Sequence, residues 1–82
     1  MADERLLSSR KKTVGAKQTL KALERGQAKA VFVAKDADRF VVDPILQLGL
    51  QKGIPIIQVE TMQSLGKACR IEVGCAVAAI LE

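Results

Sequence analysis

Residues 15–34 read GAKQTLKALERGQAKAVFVA, and they place an amphipathic pattern directly before a nearly continuous apolar run. In the first half, apolar residues recur at the spacing of one helix face. Gly26 follows, and glycine is the residue type that most often stands just past a helix C-terminus. The second half is typical of a strand covered on both faces. We therefore predict a helix over residues 15–25 and a buried strand over residues 28–34.

The same alternation of helix and strand continues on both sides of this segment. The dipeptide Asp43-Pro44 is a strong helix-start signal, because Asp is a good N-cap and Pro suits the first helical position. The further predicted elements are a helix over residues 3–10, an edge strand over 11–14, a helix from Asp43 that ends before Gly53, a strand over 54–59, a helix capped by Thr61 that ends near Cys69, a turn over 71–74 and a strand over 75–81. This pattern predicts one small α/β layer fold with helices on both faces of a central sheet.

The composition limits the chemistry that the chain can perform. Its 82 residues correspond to one domain, which we assign to residues 1–82. There is no His, and there are two Cys and two Phe. A Ser-His-Asp triad, a His metal ligand and a four-thiolate zinc site are therefore excluded. Two Phe are also too few for the aromatic platform on which several RNA-binding modules stack bases. We expect no catalytic residue, no metal and no cofactor.

We expect no targeting signal in this chain. Acidic residues stand near the N-terminus, where a signal peptide needs positive charge. The longest apolar stretch, residues 73–81, is far shorter than the roughly 20 residues of a membrane-spanning helix. We expect a cytoplasmic protein without a membrane partner. In that compartment Cys69 and Cys75 are expected to be reduced thiols that pack as small apolar residues, with a regulatory disulfide as the alternative.

The positive charge is concentrated in one part of the chain. Residues 10–35 carry eight basic residues and one acid, whereas residues 40–82 carry a net charge of −1. On a helical wheel, the basic and amide side chains of the predicted helix lie about 100–200° away from Ala16. The predicted buried stripe consists of Ala16, Thr19, Leu20 and Leu23. Placing like charges four residues apart costs a few tenths of a kcal/mol per pair. This face is either an ordinary solvated surface or a contact surface for a polyanion, and it consists of Lys17, Gln18, Lys21 and Arg25.

Two other segments allow more than one interpretation. Asp36 and Asp38 follow the end of the predicted strand, where paired carboxylates could bind a metal or act as acid and base. The alternative is a polar loop that neutralises Lys35 and Arg39, since no third ligand or nucleophile accompanies them. Ile71 and Val73 are either core residues or aliphatic contacts for an unpaired base.

Five segments together resemble the L7Ae ribosomal protein family, which includes short RNA-binding proteins of firmicute bacteria. The resemblance extends along essentially the whole chain, and its segments occur in the order of the family. They are residues 15–22 (GAKQTLKA), 24–26 (ERG), 33–39 (VAKDADR), 53–55 (GIP) and 65–73 (LGKACRIEV).

This resemblance implies a three-layer α-β-α sandwich with a small mixed central sheet that binds kink-turn RNA. Family members lay the N-terminus of one helix over tandem sheared G·A pairs, with the archaeal pattern Gly-Thr-Asn-Glu-x-x-Lys. A second loop places aliphatic side chains on the bases of the bulge, and Arg70 stands where we associate Gly with the bacterial pattern. Gly15, Lys17, Gln18 and Lys21 occupy the Gly, Asn, Glu and Lys positions of the archaeal pattern.

The candidate RNA-binding residues follow from this comparison and from the basic face. Lys17, Gln18 and Lys21 are assigned to groove contacts, and Gly15 allows close approach. The remaining candidates are Ala16 beside Gly15, the bulge-contacting residues Ile71, Glu72 and Val73, and the phosphate-contacting residues Lys11, Lys12, Arg25 and Arg70.

The sequence thus predicts a non-enzymatic, monomeric protein that recognises and stabilises kink-turn RNA. The expected partners are structured RNAs, such as ribosomal RNA or a riboswitch, and the ribosome itself. One alternative is a ribosomal or ribonucleoprotein structural subunit without kink-turn specificity of its own. Another alternative is a hydrolase that uses Asp36 and Asp38, which the absence of a third functional group disfavours.

Overall fold

The computed structural model describes residues 11–81, and the predicted helix over residues 3–10 lies outside this range. Helices and strands alternate through the described part of the chain, as predicted. The elements are β1 (Lys12–Val14), α1 (Ala16–Glu24), β2 (Ala30–Ala34), α2 (Arg39–Gln51), β3 (Ile56–Val59), α3 (Met62–Ala68) and β4 (Val77–Ile80).

The four strands form one mixed sheet in the order β1-β4-β2-β3. β2 and β3 are parallel, whereas β4 is antiparallel to both of its neighbours. All residues of the two central strands, β2 and β4, are buried, which explains their continuous apolar character. β1 is an edge strand, as predicted, and it begins at Lys12, one residue later than predicted.

Two separate apolar clusters cover the two faces of the sheet. On one face, Val31 and Val33 pack with Leu23 from α1 and Ile45 from α2. On the other face, the fully buried Phe32 packs in a cluster with residues of α3. Alternate residues of β2 therefore enter opposite clusters, as the period of a strand requires. The three-layer α/β architecture with a mixed sheet is confirmed.

The predicted start of α2 at Asp43-Pro44 was wrong. The helix begins at Arg39, where Asp38 is the N-cap and its Oδ1 accepts a hydrogen bond from the Phe40 backbone N–H at 2.8 Å. Pro44 lies inside the helix, on its exposed side. A proline there removes one backbone donor, which is tolerated because solvent can reach that side. Because Asp38 and not Asp43 is the N-cap, α2 begins more than one helical turn earlier than predicted.

Two other element boundaries have clear local causes. Thr61 caps α3 as predicted, and its side chain accepts from the Ser64 backbone N–H at 3.0 Å. β4 begins at Val77, two residues later than predicted. The Cys75 backbone N–H donates to the Met62 carbonyl oxygen at 3.0 Å, so Cys75 is bound to the start of α3 instead of to a neighbouring strand. Among residues 11–81, no helix has the length and apolar character needed to cross a membrane.

Candidate nucleic-acid interface

The outward face of α1 carries the basic side chains that the helical wheel predicts there. All four side chains on this face are exposed, and the opposite side of the helix buries Thr19, Ala22 and Leu23. This face therefore presents three positive charges and one amide to solvent, from Lys17, Gln18, Lys21 and the C-cap residue Arg25. The carboxylate of Glu24, also exposed, is the one acidic group of α1.

The buried stripe of α1 contains Thr19 and Leu23, as predicted, but its centre is shifted toward Ala22. Ala22 is buried, although the wheel does not include it, and Ala16 and Leu20 are only half-buried. The cause is the layer arrangement: Thr19, Ala22 and Leu23 face the sheet, whereas Ala16 and Leu20 line an open groove toward α2. Thr19 Oγ1 and Thr13 Oγ1 are hydrogen-bonded at 2.9 Å, which pairs the one buried polar side chain of α1 with β1.

The start of α1 is open to a ligand. Gly15 is the N-cap residue, with φ 99° and ψ 156°, a conformation that is essentially restricted to glycine. No side chain caps this helix, and no acidic residue lies in its first turn. A Cβ atom built on Gly15 would meet no atom within 4 Å, so the space beside it is empty. An uncapped helix start of this kind favours an anionic ligand, because its first N–H groups carry partial positive charge.

The loop that follows α3 is held in a defined shape. Arg70 has a left-handed conformation with φ 63°, and the Ile71 backbone N–H donates to the Gly66 carbonyl oxygen at 3.0 Å. A Cβ atom on Gly66 would overlap the Val73 carbonyl oxygen, so this glycine lets the loop pack directly on α3. Ile71 is half-buried against the core, whereas Val73 is 71% exposed. Of the two aliphatic candidates, Ile71 is mainly a packing residue and Val73 is free to contact a ligand, beside the exposed Glu72.

The start of α1 is hydrogen-bonded to Val77, the first residue of β4, which follows the loop of residues 70–74 in the chain. The Val77 oxygen accepts from the Gly15 N–H at 2.8 Å and from the Cys75 thiol at 3.0 Å. Cys75 and Cys69 are both free and buried, as predicted for reduced thiols. A hydrogen bond from Cys69 lowers the pKa of the Cys75 thiol, and burial opposes this shift. The same bond between the thiols, together with burial, raises the pKa of Cys69.

Another predicted residue, Lys11, lies near the C-terminal end of α1. Lys11 shares a depression of about 290 Å³ with residues just past the end of α1, including Gln27 and Lys29. The Leu81 backbone N–H donates to the Lys11 carbonyl oxygen at 2.9 Å, which fixes the backbone there. The exposed Lys11 and Arg25 are thus both at the end of α1 opposite Gly15.

The structure does not bring Lys12 to the basic face of α1. The Thr13 side chain faces α1, and successive side chains of a strand alternate between faces, so Lys12 projects toward the side of α3. The positive charge of Lys12 acts on the Cys69 thiol, in agreement with that placement. Lys11 and Lys12 therefore do not lie on the same side of the sheet, and the phosphate contacts assigned to them stay a prediction.

The two aspartates after β2 are helix caps. Asp36 Oδ1 accepts from the Met62 backbone N–H at 2.8 Å, at the start of α3, and Asp38 caps α2. Lys35 forms its ion pair with Glu60 at 3.2 Å, so the expected neutralisation of Lys35 by the aspartates was wrong. Within residues 11–81, no three acidic or thiol side chains are grouped so that they could hold a metal ion.

One exposed apolar surface was missed by the sequence reasoning. Phe40 is 91% exposed and Val41 is 40% exposed in the first turn of α2. Val41 also lines a groove of about 280 Å³ between α1 and α2, which we name the α1–α2 groove. Its lining residues are Ala16, Lys17, Leu20, Val41, Pro44 and Ile45. The signal in the sequence was the apolar dipeptide Phe40-Val41 directly after Asp38-Arg39. Because the helix was predicted to start at Asp43, Phe40 and Val41 were not assigned to any element.

Comparison with known proteins finds relatives that are named for RNA binding and for the ribosome. The chain is 42% identical over 81 residues to an RNA-binding protein of Geobacillus sp. (strain WCH70), a match that covers 99% of each chain. It is 44% identical over 68 residues to the large ribosomal subunit protein eL8 of Halobacterium salinarum, covering 82% of this chain and 57% of that protein. The structure of the 15.5kD RNA binding protein of Giardia lamblia superposes with a TM-score of 0.84 at 30% identity, covering 98% of this chain and 67% of the other. Residues 2–82 match the ribosomal protein L7Ae/L30e/S12e/Gadd45 family, and the chain belongs to that family.

Proposed function

We propose that this protein binds kink-turn RNA and holds it in the kinked conformation. The observation that carries the proposal is the uncapped start of α1 at Gly15, which is tied to the Val77 carbonyl beside the loop of residues 70–74. An RNA with a sharp bend can contact both elements at once, whereas a regular A-form helix offers only a deep, narrow major groove that side chains cannot enter. Tandem sheared G·A pairs open that groove.

Each exposed residue of α1 has a distinct chemical capacity toward such an RNA. Lys17 and Lys21 can donate to base-edge acceptors or to phosphates, and Gln18 can both donate and accept. Gly15 and Ala16 keep the helix start small enough for close approach of a base pair. Arg25 and Lys11, at the far end of α1, are suited to the phosphates of the adjoining stem, which contribute affinity more than sequence discrimination.

The loop after α3 would contact the bulge of the same RNA. Val73 is the exposed aliphatic side chain for a base, Glu72 can accept from a base amino group, and Ile71 supports the loop from below. Arg70 adds a positive charge at the start of the loop. Lys12 has no part in the α1 contact because it projects toward α3.

Binding would shift the conformational equilibrium of the free RNA. A kink-turn exchanges between extended and kinked forms, and a protein that contacts both arms of the kink favours the kinked form by its differential affinity. The relatives that match are named for RNA binding or for the ribosome, which favours a non-enzymatic function. We propose that the protein acts as a monomer in the cytoplasm, on a ribosomal or riboswitch RNA.

A kink-turn RNA with a fluorescent donor and acceptor on its two arms tests this proposal. Addition of the protein should raise energy transfer and reach saturation at one protein per RNA. An RNA in which the tandem G·A pairs are replaced by Watson–Crick pairs should show no change. If the two RNAs respond alike, the protein does not select the kink.

A structural role in the ribosome is the second candidate function. It is favoured by the 44% identity to the large ribosomal subunit protein eL8 of Halobacterium salinarum. Sedimentation of a lysate of the source cell distinguishes the two: a ribosome subunit component would sediment with the large subunit in stoichiometric amount at moderate salt. A free RNA-binding protein would remain near the top of the gradient or associate with other RNAs.

A further inference from the structure

Two buried thiols lie at the two ends of the loop of residues 70–74. Cys69 is the C-cap residue of α3, and Cys75 stands two residues before the start of β4. Their side chains are 5% and 4% exposed, and both belong to the apolar cluster on the α3 side of the sheet. The RNA contacts proposed above use neither thiol. Their position makes the pair a candidate for chemistry that acts on the loop between them.

The two sulfur atoms are in contact through a short chain of hydrogen bonds. The Cys69 thiol donates to the Cys75 sulfur, and the Cys75 thiol donates to the Val77 carbonyl oxygen at 3.0 Å. The backbone of each cysteine is bound to α3, because the Cys69 N–H donates to Leu65 and the Cys75 N–H donates to Met62, both at 3.0 Å. A disulfide requires two cysteines that the fold already brings close together, and this pair meets that requirement.

The surroundings give the two thiols different roles in an oxidation. The hydrogen bond from Cys69 lowers the pKa of Cys75, whereas the same bond and burial raise the pKa of Cys69. Lys12, on the same side of the sheet, adds a positive charge near the pair. Because the thiolate is the reactive form of cysteine, Cys75 is the attacking sulfur. Cys69 is then the neighbouring thiol that resolves the oxidised product.

The loop that covers the pair is attached at its ends. The Ile71 N–H donates to the Gly66 carbonyl oxygen at 3.0 Å at one end, and the Cys75 N–H donates to Met62 at the other. Between these bonds, Glu72 and Val73 are exposed. Exposed loops open at a lower free-energy cost than buried strands. Opening of this loop gives a small oxidant access to both sulfur atoms while α3 and β4 stay folded.

We propose that Cys69 and Cys75 form a reversible disulfide when the protein meets hydrogen peroxide, and that this bond weakens the contact of the loop with RNA. The Cys75 sulfur, having lost its proton, attacks one peroxide oxygen and breaks the O–O bond. The departing hydroxide takes up that proton as water, and Cys75 becomes a sulfenic acid. The Cys69 sulfur then attacks the Cys75 sulfur, and the released hydroxide leaves as water with the Cys69 proton. Two thiols are oxidised and one peroxide is reduced to two waters, and a dithiol reductant reverses the reaction.

The disulfide changes the loop because the loop has no slack. Formation of an S–S bond of about 2 Å draws the two ends of the loop together, and it removes the hydrogen bond from Cys75 to Val77. The loop already packs directly on α3, where a Cβ atom on Gly66 would overlap the Val73 carbonyl oxygen. The exposed side chains of Glu72 and Val73 must therefore shift. This inference rests on the proposed function, in which those side chains contact the RNA bulge.

Peptide mapping tests whether the disulfide forms. The reduced protein is treated with hydrogen peroxide, remaining thiols are alkylated, and the protein is digested with trypsin without a reductant. Trypsin cleaves after Lys67 and Arg70, so Cys69 lies in the peptide of residues 68–70 and Cys75 in the peptide that begins at Ile71. We expect the two peptides to be joined, lighter than their sum by two hydrogen atoms, and to separate on addition of dithiothreitol. Alkylated thiols in both peptides after peroxide treatment, or links only between two chains, would overturn the inference.

Affinity measurements test the effect of the disulfide on RNA binding. A kink-turn RNA is titrated with the reduced, the peroxide-treated and the re-reduced protein. The oxidised protein should bind about fivefold or more weakly, as expected when one contact between the loop and a base is lost, and dithiothreitol should restore the affinity. Cys75→Ser is the matched control, because its hydroxyl can still donate to Val77 while the reactive sulfur is absent. It should bind as tightly as the reduced wild type, before and after peroxide. Cys69→Ala, which keeps a small side chain in the core, replaces it if Cys75→Ser does not fold.

The outcomes separate this inference from the proposed function. If the reduced protein does not bind the kink-turn RNA tightly, the proposed function fails and the effect on RNA fails with it, whereas the joined peptides alone decide whether the disulfide exists. If the reduced protein binds tightly and the oxidised protein carries the disulfide but binds equally well, kink-turn recognition stands and the inference is overturned. An equal loss of affinity in peroxide-treated Cys75→Ser would also overturn it, because oxidation of another residue, such as Met62, would then be the cause.

Discussion

The backbone N–H of Gly15 donates to the carbonyl oxygen of Val77 across 2.8 Å. This bond joins the start of α1 to the first residue of β4, which the loop of residues 70–74 leads into. The Cys75 thiol donates to the same oxygen at 3.0 Å. The two elements that we propose for RNA contact are therefore held in a fixed relation by the sheet before any RNA arrives, and such preorganisation lowers the entropic cost of binding.

Substitution of Gly15 should damage both stability and binding. Gly15→Ala forces a Cβ into a backbone conformation that essentially only glycine adopts, which costs about 1–3 kcal/mol. Gly53→Ala, at the end of α2 with φ 68°, is the matched control for a positive φ away from the interface. Urea unfolding should report destabilisation in both variants, whereas only Gly15→Ala should weaken RNA binding. A Gly15→Ala protein with wild-type stability would contradict the conformational argument.

Substitution of Gly66 tests how the loop packs on α3. In Gly66→Ala the new methyl group overlaps the Val73 backbone carbonyl, so the loop must move, and we expect a loss of about 1–3 kcal/mol in unfolding free energy. Gly49→Ala is the control, because this helical glycine would meet only the end of the Ile56 side chain, at 3.0 Å. Thermal unfolding of the two variants should give a clearly lower midpoint for Gly66→Ala. Equal midpoints would mean that the loop does not depend on this contact.

Arg70 combines a strained backbone with a positive charge, and two substitutions separate these properties. Arg70→Gly removes the strain of a left-handed residue, about 1–2 kcal/mol, although the extra freedom of an unfolded glycine offsets about half of that. We expect a rise of up to about 1 kcal/mol in stability. Arg70→Ala keeps the strain and removes the charge, so it should weaken RNA binding without stabilising the protein. If Arg70→Gly were instead less stable than Arg70→Ala, the left-handed conformation would not be a source of strain.

Lys21 lies in the middle of the basic face and should contribute strongly to recognition. Lys21→Ala should reduce affinity for kink-turn RNA by about 1–3 kcal/mol if the side chain contacts a base edge. Lys52→Ala removes the same charge at the end of α2, and we expect little change from it. Calorimetric titrations of both variants decide the matter. If Lys21→Ala lowered the affinity equally for every RNA tested, Lys21 would be a phosphate contact. If Lys52→Ala caused a large loss of affinity, the interface would not be the face of α1 assigned here.

The elements that could be predicted from the sequence are those whose signals are local. The exposed basic face of α1, the buried strand β2 and the Thr61 cap follow from residue spacing and capping chemistry alone. The start of α2 could not, because Asp38 and Asp43 are both good N-caps and only the packing of Val42 and Ile45 on the sheet extends the helix back to Arg39. The mixed sheet was predicted from the resemblance to the family. The residue pattern of one strand does not specify whether its neighbours run parallel or antiparallel to it.

The candidate site was predicted less completely than the fold. Whether Lys12 joins Lys11 depends on which face of β1 each side chain takes, and this is set by the pairing of Thr13 with Thr19. Whether Ile71 or Val73 is exposed depends on the Arg70 turn. Phe40 is exposed because it lies on the outer side of α2. This could not be predicted while the helix was expected to start after Phe40. Each of these side-chain placements depends on tertiary contacts, which the periodicity of apolar residues in the sequence does not specify.

The most direct test of the central claim is titration calorimetry of the protein with two RNAs at about 50 mM and about 200 mM salt. One RNA is a simple kink-turn, and the other has its tandem G·A pairs replaced by Watson–Crick pairs. We predict tight binding to the kink-turn at both salt concentrations, with a loss of several kcal/mol on the control RNA. Equal binding to the two RNAs, weakening together as the salt concentration rises, would mean that α1 presents only a polyanion-binding surface and would contradict kink-turn recognition.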